Sequence, residues 1–177
     1  MLRVSTVERG SDGPPRPTVS ISENPERRRT TICLMAELRL IPLCTITGEV
    51  KKPNVVGRGA GLVQENFPVL GSIDGERLSG KMQGDSYYDW MSGPGGIGTL
   101  QVVANIQTDD GASINVRYEA RADISNGFEG VVGYAAPVFT TSHPGYLWLN
   151  LIQAVGRGTI LGDHIYWDWY QVAEAGH

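Results

Sequence analysis

The chain has 177 residues, of which 41% are apolar, so it is long enough for one domain with a full core. Its formal net charge of −4 argues against nucleic acid or an anionic membrane surface as the main partner. No apolar run is long enough to span a membrane or to form a secretory leader. These features favour a cytoplasmic protein in which Cys33 and Cys44 are free thiols.

Residues 1–34 differ in composition from the rest of the chain. They carry six arginines against four acidic residues, with four of the ten prolines and no aromatic residue. Such a segment buries too little apolar surface to offset its ordering entropy, so we predict a disordered tail. Met35 stands where a strand pattern begins, which favours a folded domain over residues 35–177 and an upstream extension of the reading frame before it.

The first half of this domain alternates strand patterns with loop signals. Leu38–Val50 is predicted to be a strand in which Pro42 marks an edge or a bulge. Residues 51–64 are rich in glycine and contain Pro53, so a loop is predicted there. Two short strands follow at residues 69–73 and 78–82, and a glycine-rich loop is predicted over residues 93–98.

The clearest pattern is a hairpin over residues 98–118. Apolar residues alternate with polar residues from Leu100 to Ile106 and again from Ile114 to Tyr118, which is the period of half-buried strands. Thr108 to Gly111 form the predicted turn, because glycine accepts the positive φ that closes it. One face of the hairpin is therefore apolar, and the other faces either water or a polar cavity.

The remaining residues continue the strand pattern to the end of the chain. Residues 131–140 form one predicted strand, and residues 147–161 form a long strand or a pair bent at Gly156–Gly158. The last strand covers residues 165–172, and no stretch predicts a helix of ordinary length. Regularly spaced strands predict an all-β fold, and we favour a single antiparallel β-barrel, lipocalin-like and closed or nearly closed, because closure removes exposed edges.

Several motifs occur in the order found in one protein family. They are the Gly71 to Gly80 segment with Gly75-Glu76-Arg77-Leu78-Ser79-Gly80, then Asp89-Trp90, then residues 108–114 (TDDGASI), then residues 146–150 (YLWLN). Over residues 36–172 the chain resembles the domain of unknown function 3237 family of uncharacterised bacterial and fungal proteins. The resemblance implies a small β-barrel with a central cavity, and it implies no particular reaction.

Asp89 is the candidate catalytic residue. It lies between Tyr88 and Trp90, and an acid flanked by aromatic rings can be partly desolvated, which suits a general acid or base. With Asp89 as the acid or base, Trp90 would help to bind the substrate. The alternative is an aspartate that caps a turn while Trp90 packs in the core.

Candidate binding residues lie on the hairpin and on the later strands. If the polar hairpin face lines a cavity, Arg117 would bind an anionic oxygen with help from Asn105 and Asn115; if it faces water, Arg117 pairs with a cross-strand neighbour. Tyr146, Trp148 and Asn150 either form an aromatic pocket with one polar anchor or belong to the barrel core. Trp167 either lines the same pocket or packs between strands.

The sequence also removes several classes of site. The three histidines lack metal-ligand spacing, so no metal is predicted, and no glycine-rich loop precedes a helix that could bind a nucleotide cofactor. We favour a barrel that binds a small aromatic or polyketide-like molecule without a cofactor. It is either an acid/base isomerase, cyclase or lyase or a non-catalytic carrier. The third hypothesis is a dimeric assembly module with a filled interior.

Overall fold

The computed structural model describes residues 37–52, 54–59, 61–84 and 86–175, without the side chain of Arg58. The predicted tail and Cys33 lie outside these residues. The strands are β1 (Leu38–Val50), β2 (Asn54–Gly59), β3 (Leu62–Phe67), β4 (Val69–Asp74), β5 (Gly80–Met82), β6 (Tyr87–Ser92), β7 (Ile97–Thr108), β8 (Ser113–Asp123), β9 (Val132–Ala135), β10 (Val138–Thr140), β11 (Ala154–Leu161) and β12 (His164–Glu174). Two 3-10 segments cover Pro94–Gly96 and Pro144–Leu151.

Eight of these strands close into an antiparallel barrel. Its order is β8, β9, β11, β12, β1, β4, β5 and β7, and β7 pairs with β8 to complete the ring. β6 pairs with the part of β7 that β5 does not cover. β3 pairs with β6, and β2 pairs with β3, so these strands extend the barrel wall. The prediction of a closed antiparallel barrel is therefore confirmed.

Local predictions succeed where the two-residue period is clean. β1 begins and ends at the predicted residues, and its pairing with β12 shifts register between Pro42 and Cys44. The β7–β8 hairpin buries the alternating apolar side chains from Leu100 to Ile106 and from Ile114 to Tyr118, and Gly111 in its turn has φ +94°. No helix in the described part of the chain is long and apolar enough to cross a membrane.

Three local predictions differ from the structure. Residues 51–64 are not one loop, because β2 and the first half of β3 form a hairpin there despite the glycines. Residues 147–151, predicted to begin a strand, belong instead to a 3-10 helix over Pro144–Leu151, here called the capping helix, with Pro144 in its first turn and Leu149 buried against one end of the barrel. The strand predicted over residues 131–140 is interrupted at Ala136–Pro137, which separates β9 from β10.

Two glycines of β11 make room for two indole rings of β12. Gly156 pairs with Trp169 and Gly158 pairs with Trp167 in the strand register, and both tryptophans point into the barrel. A Cβ atom at Gly156 would stand 2.5 Å from Cδ1 of Trp169, so each ring lies directly across the glycine of the neighbouring strand. The Gly156–Gly158 segment therefore does not bend β11 into two strands, but accommodates Trp167 and Trp169.

Cys44 is a buried free thiol on β1. Burial, with a smaller contribution from the nearby Asp168 charge, raises the pKa of Cys44 to about 12. The unfolded chain loses the thiol proton at a lower pH than the folded chain does. The contribution of the neutral thiol to the free energy of unfolding is therefore complete below the unfolded pKa and is lost as the pH rises towards 12.

We therefore expect Cys44 of the folded Cys33→Ser chain to resist Ellman's reagent at pH 8, since the thiolate is the reactive form. In urea the same thiol is expected to react fully, and the release of thionitrobenzoate measures both rates. Equal rates with and without urea would contradict the burial of this thiol.

Candidate functional site

Two adjacent chambers lie at the barrel end where β1 ends and β12 begins. The outer chamber, here called the mouth, has a volume of about 270 Å³ and is lined by Val50, Lys51, Lys52, Glu65, Phe67, Trp90, Phe128, Ile160, Gly162 and Asp163. The inner chamber is about 30 Å³ and lies deeper among β6, β8, β9, β11 and β12. Phe67, Trp90 and Ile160 line both chambers, and the two together are here called the aromatic well.

The aromatic well exists because one side of the barrel carries small residues. Ala120, Ala122, Gly133 and Gly158 line the inner chamber from β8, β9 and β11. Large aromatic side chains from β3, β6 and β12 line the same chamber. Since the interior of an eight-stranded barrel is just wide enough for side chains to fill, these four small residues leave the inner chamber unfilled.

The walls of the well are held by ring contacts. Trp90 meets Phe128 edge to face with ring centroids 5.3 Å apart, and its indole N–H donates to Ser92 Oγ at 2.9 Å. Phe67 stacks on Tyr88 at 5.9 Å, and the Tyr88 hydroxyl donates to the sulfur of Met82. Burial raises the pKa of Tyr88 well above its usual range, so this hydroxyl stays protonated and neutral.

The mouth carries charge as well as aromatic rings. Glu65 pairs with Trp90 across β3 and β6, so the two side chains share the inward face. Glu65 is half-buried and has neither a hydrogen bond nor an ion pair with any described residue. Asp163 lies at the rim with a side chain 71% exposed, 2.6 Å from the His164 ring nitrogen Nδ1.

Asp89 lies on the outer face of the barrel wall, whereas the candidate catalytic role requires a carboxylate that faces a ligand. It follows Tyr88 and precedes Trp90, and neighbouring residues of a strand point to opposite faces. Its two carboxylate oxygens accept hydrogen bonds from Gln64 Nε2 at 2.8 and 3.0 Å, and Asn66 Nδ2 donates to one of them at 3.2 Å. These bonds tie β3 to β6 and leave Asp89 outside the aromatic well.

The polar residues of the central hairpin also face outwards. Asn115 Nδ2 donates to Asn105 Oδ1 at 2.9 Å, and Arg117 Nε donates to Asn115 Oδ1 at 3.2 Å. Arg117 is exposed, so the polar face of the hairpin faces water rather than a cavity. Its polar side chains pair with one another along and across the strands. Asn105, Asn115 and Arg117 do not line the aromatic well.

Tyr146, Trp148 and Asn150 lie at the opposite end of the barrel, on the capping helix. The Asn150 side chain accepts from the Thr141 backbone N–H at 2.9 Å and donates to the Thr141 carbonyl at 2.8 Å. The Arg77 guanidinium lies 4.4 Å from the centroid of the Trp148 ring and donates to Gln171. These contacts hold the capping helix against the barrel. They agree with the structural alternative for Asn150, in which its side chain does not bind a ligand.

Tyr146 contacts the turn of the central hairpin. Its hydroxyl donates to Asp110 Oδ1 at 3.1 Å. A hydrogen bond from Thr108 is the main reason that the pKa of Asp110 lies below its usual range, while partial burial raises the pKa of Tyr146. The turn carboxylate is therefore engaged in structure, and no cluster of potential metal ligands occurs in the described part of the chain.

Of the candidate site residues, Trp90 and Trp167 line the aromatic well. Sequence reasoning missed Glu65 and Phe67 because β3 was not recognised: its first half fell in the predicted loop 51–64, and no element was predicted for the rest. It also missed Phe128, which lies between β8 and β9 in a segment for which no element was predicted. The alternation of Val63, Glu65 and Phe67 against Gln64 and Asn66 is the signal that assigns Glu65 to the same face as Phe67.

Solved structures with the same fold come from bacteria and a fungus. A β-barrel-like protein from Acinetobacter baumannii is 21% identical with a TM-score of 0.70, and the match covers 77% of this chain and 97% of that one. A protein of unknown function from Clostridium acetobutylicum is 21% identical with a TM-score of 0.73, covering 77% and 100%. An enzyme from Penicillium herquei is 22% identical with a TM-score of 0.60, covering 78% and 95%.

At these identities the similarity establishes the barrel fold. None of the curated proteins matches the chain. A family model described as protein of unknown function (DUF3237) matches residues 38–172, which span the whole barrel. The chain therefore belongs to the DUF3237 family.

Proposed function

We propose that this barrel binds a small, largely apolar aromatic molecule in the aromatic well. The observation that carries this proposal is the pair of adjacent chambers walled by Phe67, Tyr88, Trp90, Phe128 and Trp167. Ligand sites are typically concave and apolar with a few polar groups, and the mouth volume of about 270 Å³ suits a molecule of one or two rings. A barrel with a solidly packed interior would instead favour the assembly module.

A substitution that fills the well is expected to abolish binding. Ala122 is half-buried and lines the inner chamber, so Ala122→Leu places a larger side chain where the ligand would lie. We expect 2-naphthol to quench the tryptophan fluorescence of the natural chain and to raise its melting temperature, because binding to the folded state stabilises it. The affinity for 2-naphthol derived from these effects is expected to fall at least about tenfold in the Ala122→Leu chain, a loss of about 1.4 kcal/mol in binding free energy.

Ala136→Leu is the matched control, because Ala136 is exposed between β9 and β10 and lies outside the well. This chain is expected to bind 2-naphthol like the natural one. Equal binding by the Ala122→Leu chain would place the ligand elsewhere, and no binding by the natural chain to 2-naphthol, 2-tetralone or juglone would overturn the proposal.

The carrier and the acid/base enzyme use the same well and differ in whether a group in it reacts. The carboxylate of Glu65, which stands beside Trp90 and has no partner among the described residues, favours the enzyme. A homodimer is a separate proposal, supported by Tyr134 on β9 and Tyr166 on β12, which are 63% and 37% exposed on the two strands that flank β11. Sedimentation equilibrium measures the oligomeric state directly.

A further inference from the structure

We propose that Glu65 is a catalytic residue that takes and returns a proton on an aromatic carbonyl compound bound in the aromatic well. This inference rests on the proposed binding function and assigns its chemistry. The substrate class is a ring system whose carbonyl carries an acidic C–H on the neighbouring carbon, with the ring in the well and that C–H at the mouth.

The position of Glu65 supports this role. β3 holds Glu65 directly across from Trp90, so its carboxylate points into the mouth above the rings that would hold the ligand. Within the described structure no arginine, lysine or amide side chain engages it. A half-buried carboxylate that stands beside Trp90 and has no partner among the described residues is available to a ligand.

The other ionisable groups near the well are less suitable. Tyr88 is buried, and its raised pKa keeps it a neutral hydrogen-bond donor. Asp163 is largely exposed and lies against His164. Asp89 points to the outer face, where Gln64 and Asn66 engage it.

The proton transfer balances without a cofactor. The C–H bond beside the carbonyl breaks, its proton passes to a Glu65 carboxylate oxygen, and its electron pair moves into the carbonyl to give an enolate oxygen. Return of the proton to the same carbon gives exchange, and return to a conjugated carbon gives isomerisation. Lys52 lines the same mouth and has no ion pair with a described residue, so its ammonium group can offset the enolate charge.

Deuterium exchange of 2-tetralone tests this assignment in the full chain. Proton NMR in D₂O follows loss of the C–H signal beside the carbonyl, while quenching of tryptophan fluorescence measures binding separately. We expect the natural chain to accelerate exchange over buffer and Glu65→Gln to lower that acceleration by about 10²-fold or more, with binding changed less than about threefold. Glu119→Gln, on the outer face of β8, is the matched control and is expected to exchange at the natural rate.

The outcomes separate the two proposals. If 2-tetralone and the other aromatic probes do not bind, the proposed function fails. If 2-tetralone binds and exchange stays at the buffer rate, or if Glu65→Gln exchanges as fast as the natural chain, the binding proposal stands and the role of Glu65 is overturned. Loss of exchange in Asp89→Asn but not in Glu65→Gln would transfer the role to Asp89.

Discussion

Replacing Gly158 by alanine is expected to lower the free energy of unfolding by about 3 kcal/mol, the upper part of the range for overpacked cores. The added Cβ would stand 2.5 Å from Cε2 and 2.6 Å from Cε3 of Trp167, so the indole ring must leave its place across β11. The nearest open space is the inner chamber, which Trp167 already lines. Urea denaturation followed by circular dichroism measures the loss.

Gly59→Ala is the control for this substitution. Gly59 lies in β2 with no atom within 4 Å of an added Cβ, so its replacement is expected to change stability by less than about 0.5 kcal/mol. In the double variant Gly158→Ala/Trp167→Leu, the smaller side chain no longer meets the added methyl group. We therefore expect less than the sum of the two single losses. Strict additivity would show that the ring and the glycine do not interact.

Trp169→Ala is expected to lower the free energy of unfolding by about 4 kcal/mol, because it removes a large aromatic side chain from the core. Trp169 is 1% exposed, and its ring meets Tyr118 and Phe139 edge to face at 5.6 and 5.7 Å. The cavity left behind would be bounded by a closed barrel wall that cannot collapse into it. Thermal unfolding is expected to shift by about 10 °C or more for a domain of this size.

Tyr166→Ala is the matched comparison on the same strand. Tyr166 points outwards and is 37% exposed, so its loss is expected to cost about 1 kcal/mol or less. Trp169→Phe keeps a ring in the core and is expected to fall between the two, which preserves the test if Trp169→Ala does not fold. Equal losses for Trp169→Phe and Tyr166→Ala would contradict the central packing role of Trp169.

The outward position of Asp89 has a simple geometric cause. Asp89 and Trp90 are adjacent, and in an extended strand adjacent side chains face opposite sides, so a Trp90 in the interior requires an outward Asp89. The carboxylate that does share the face of Trp90 is Glu65, which lies 25 residues earlier and across a strand pair. Only the pairing register brings these two residues together.

The capping helix was mistaken for a strand because its residues have strand-forming side chains. Tyr146, Leu147 and Trp148 favour extended structure, yet the contacts of Asn150 with Thr141 and the burial of Leu149 hold this segment in a 3-10 helix. Tertiary contacts outweigh intrinsic preference here, as they do for β2, whose glycines favoured a loop.

The sequence by itself determined the all-β class, β1 and the β7–β8 hairpin, because each follows from a local period of two. Only the tertiary structure decided which end of the barrel is open and which carboxylate faces it. Closure of the ring brings Ala120, Ala122, Gly133 and Gly158 to the same chamber as the aromatic side chains, and that juxtaposition depends on strand pairings between segments far apart in the chain. Local patterns carry no information about such pairings, whereas the space they leave defines the candidate site.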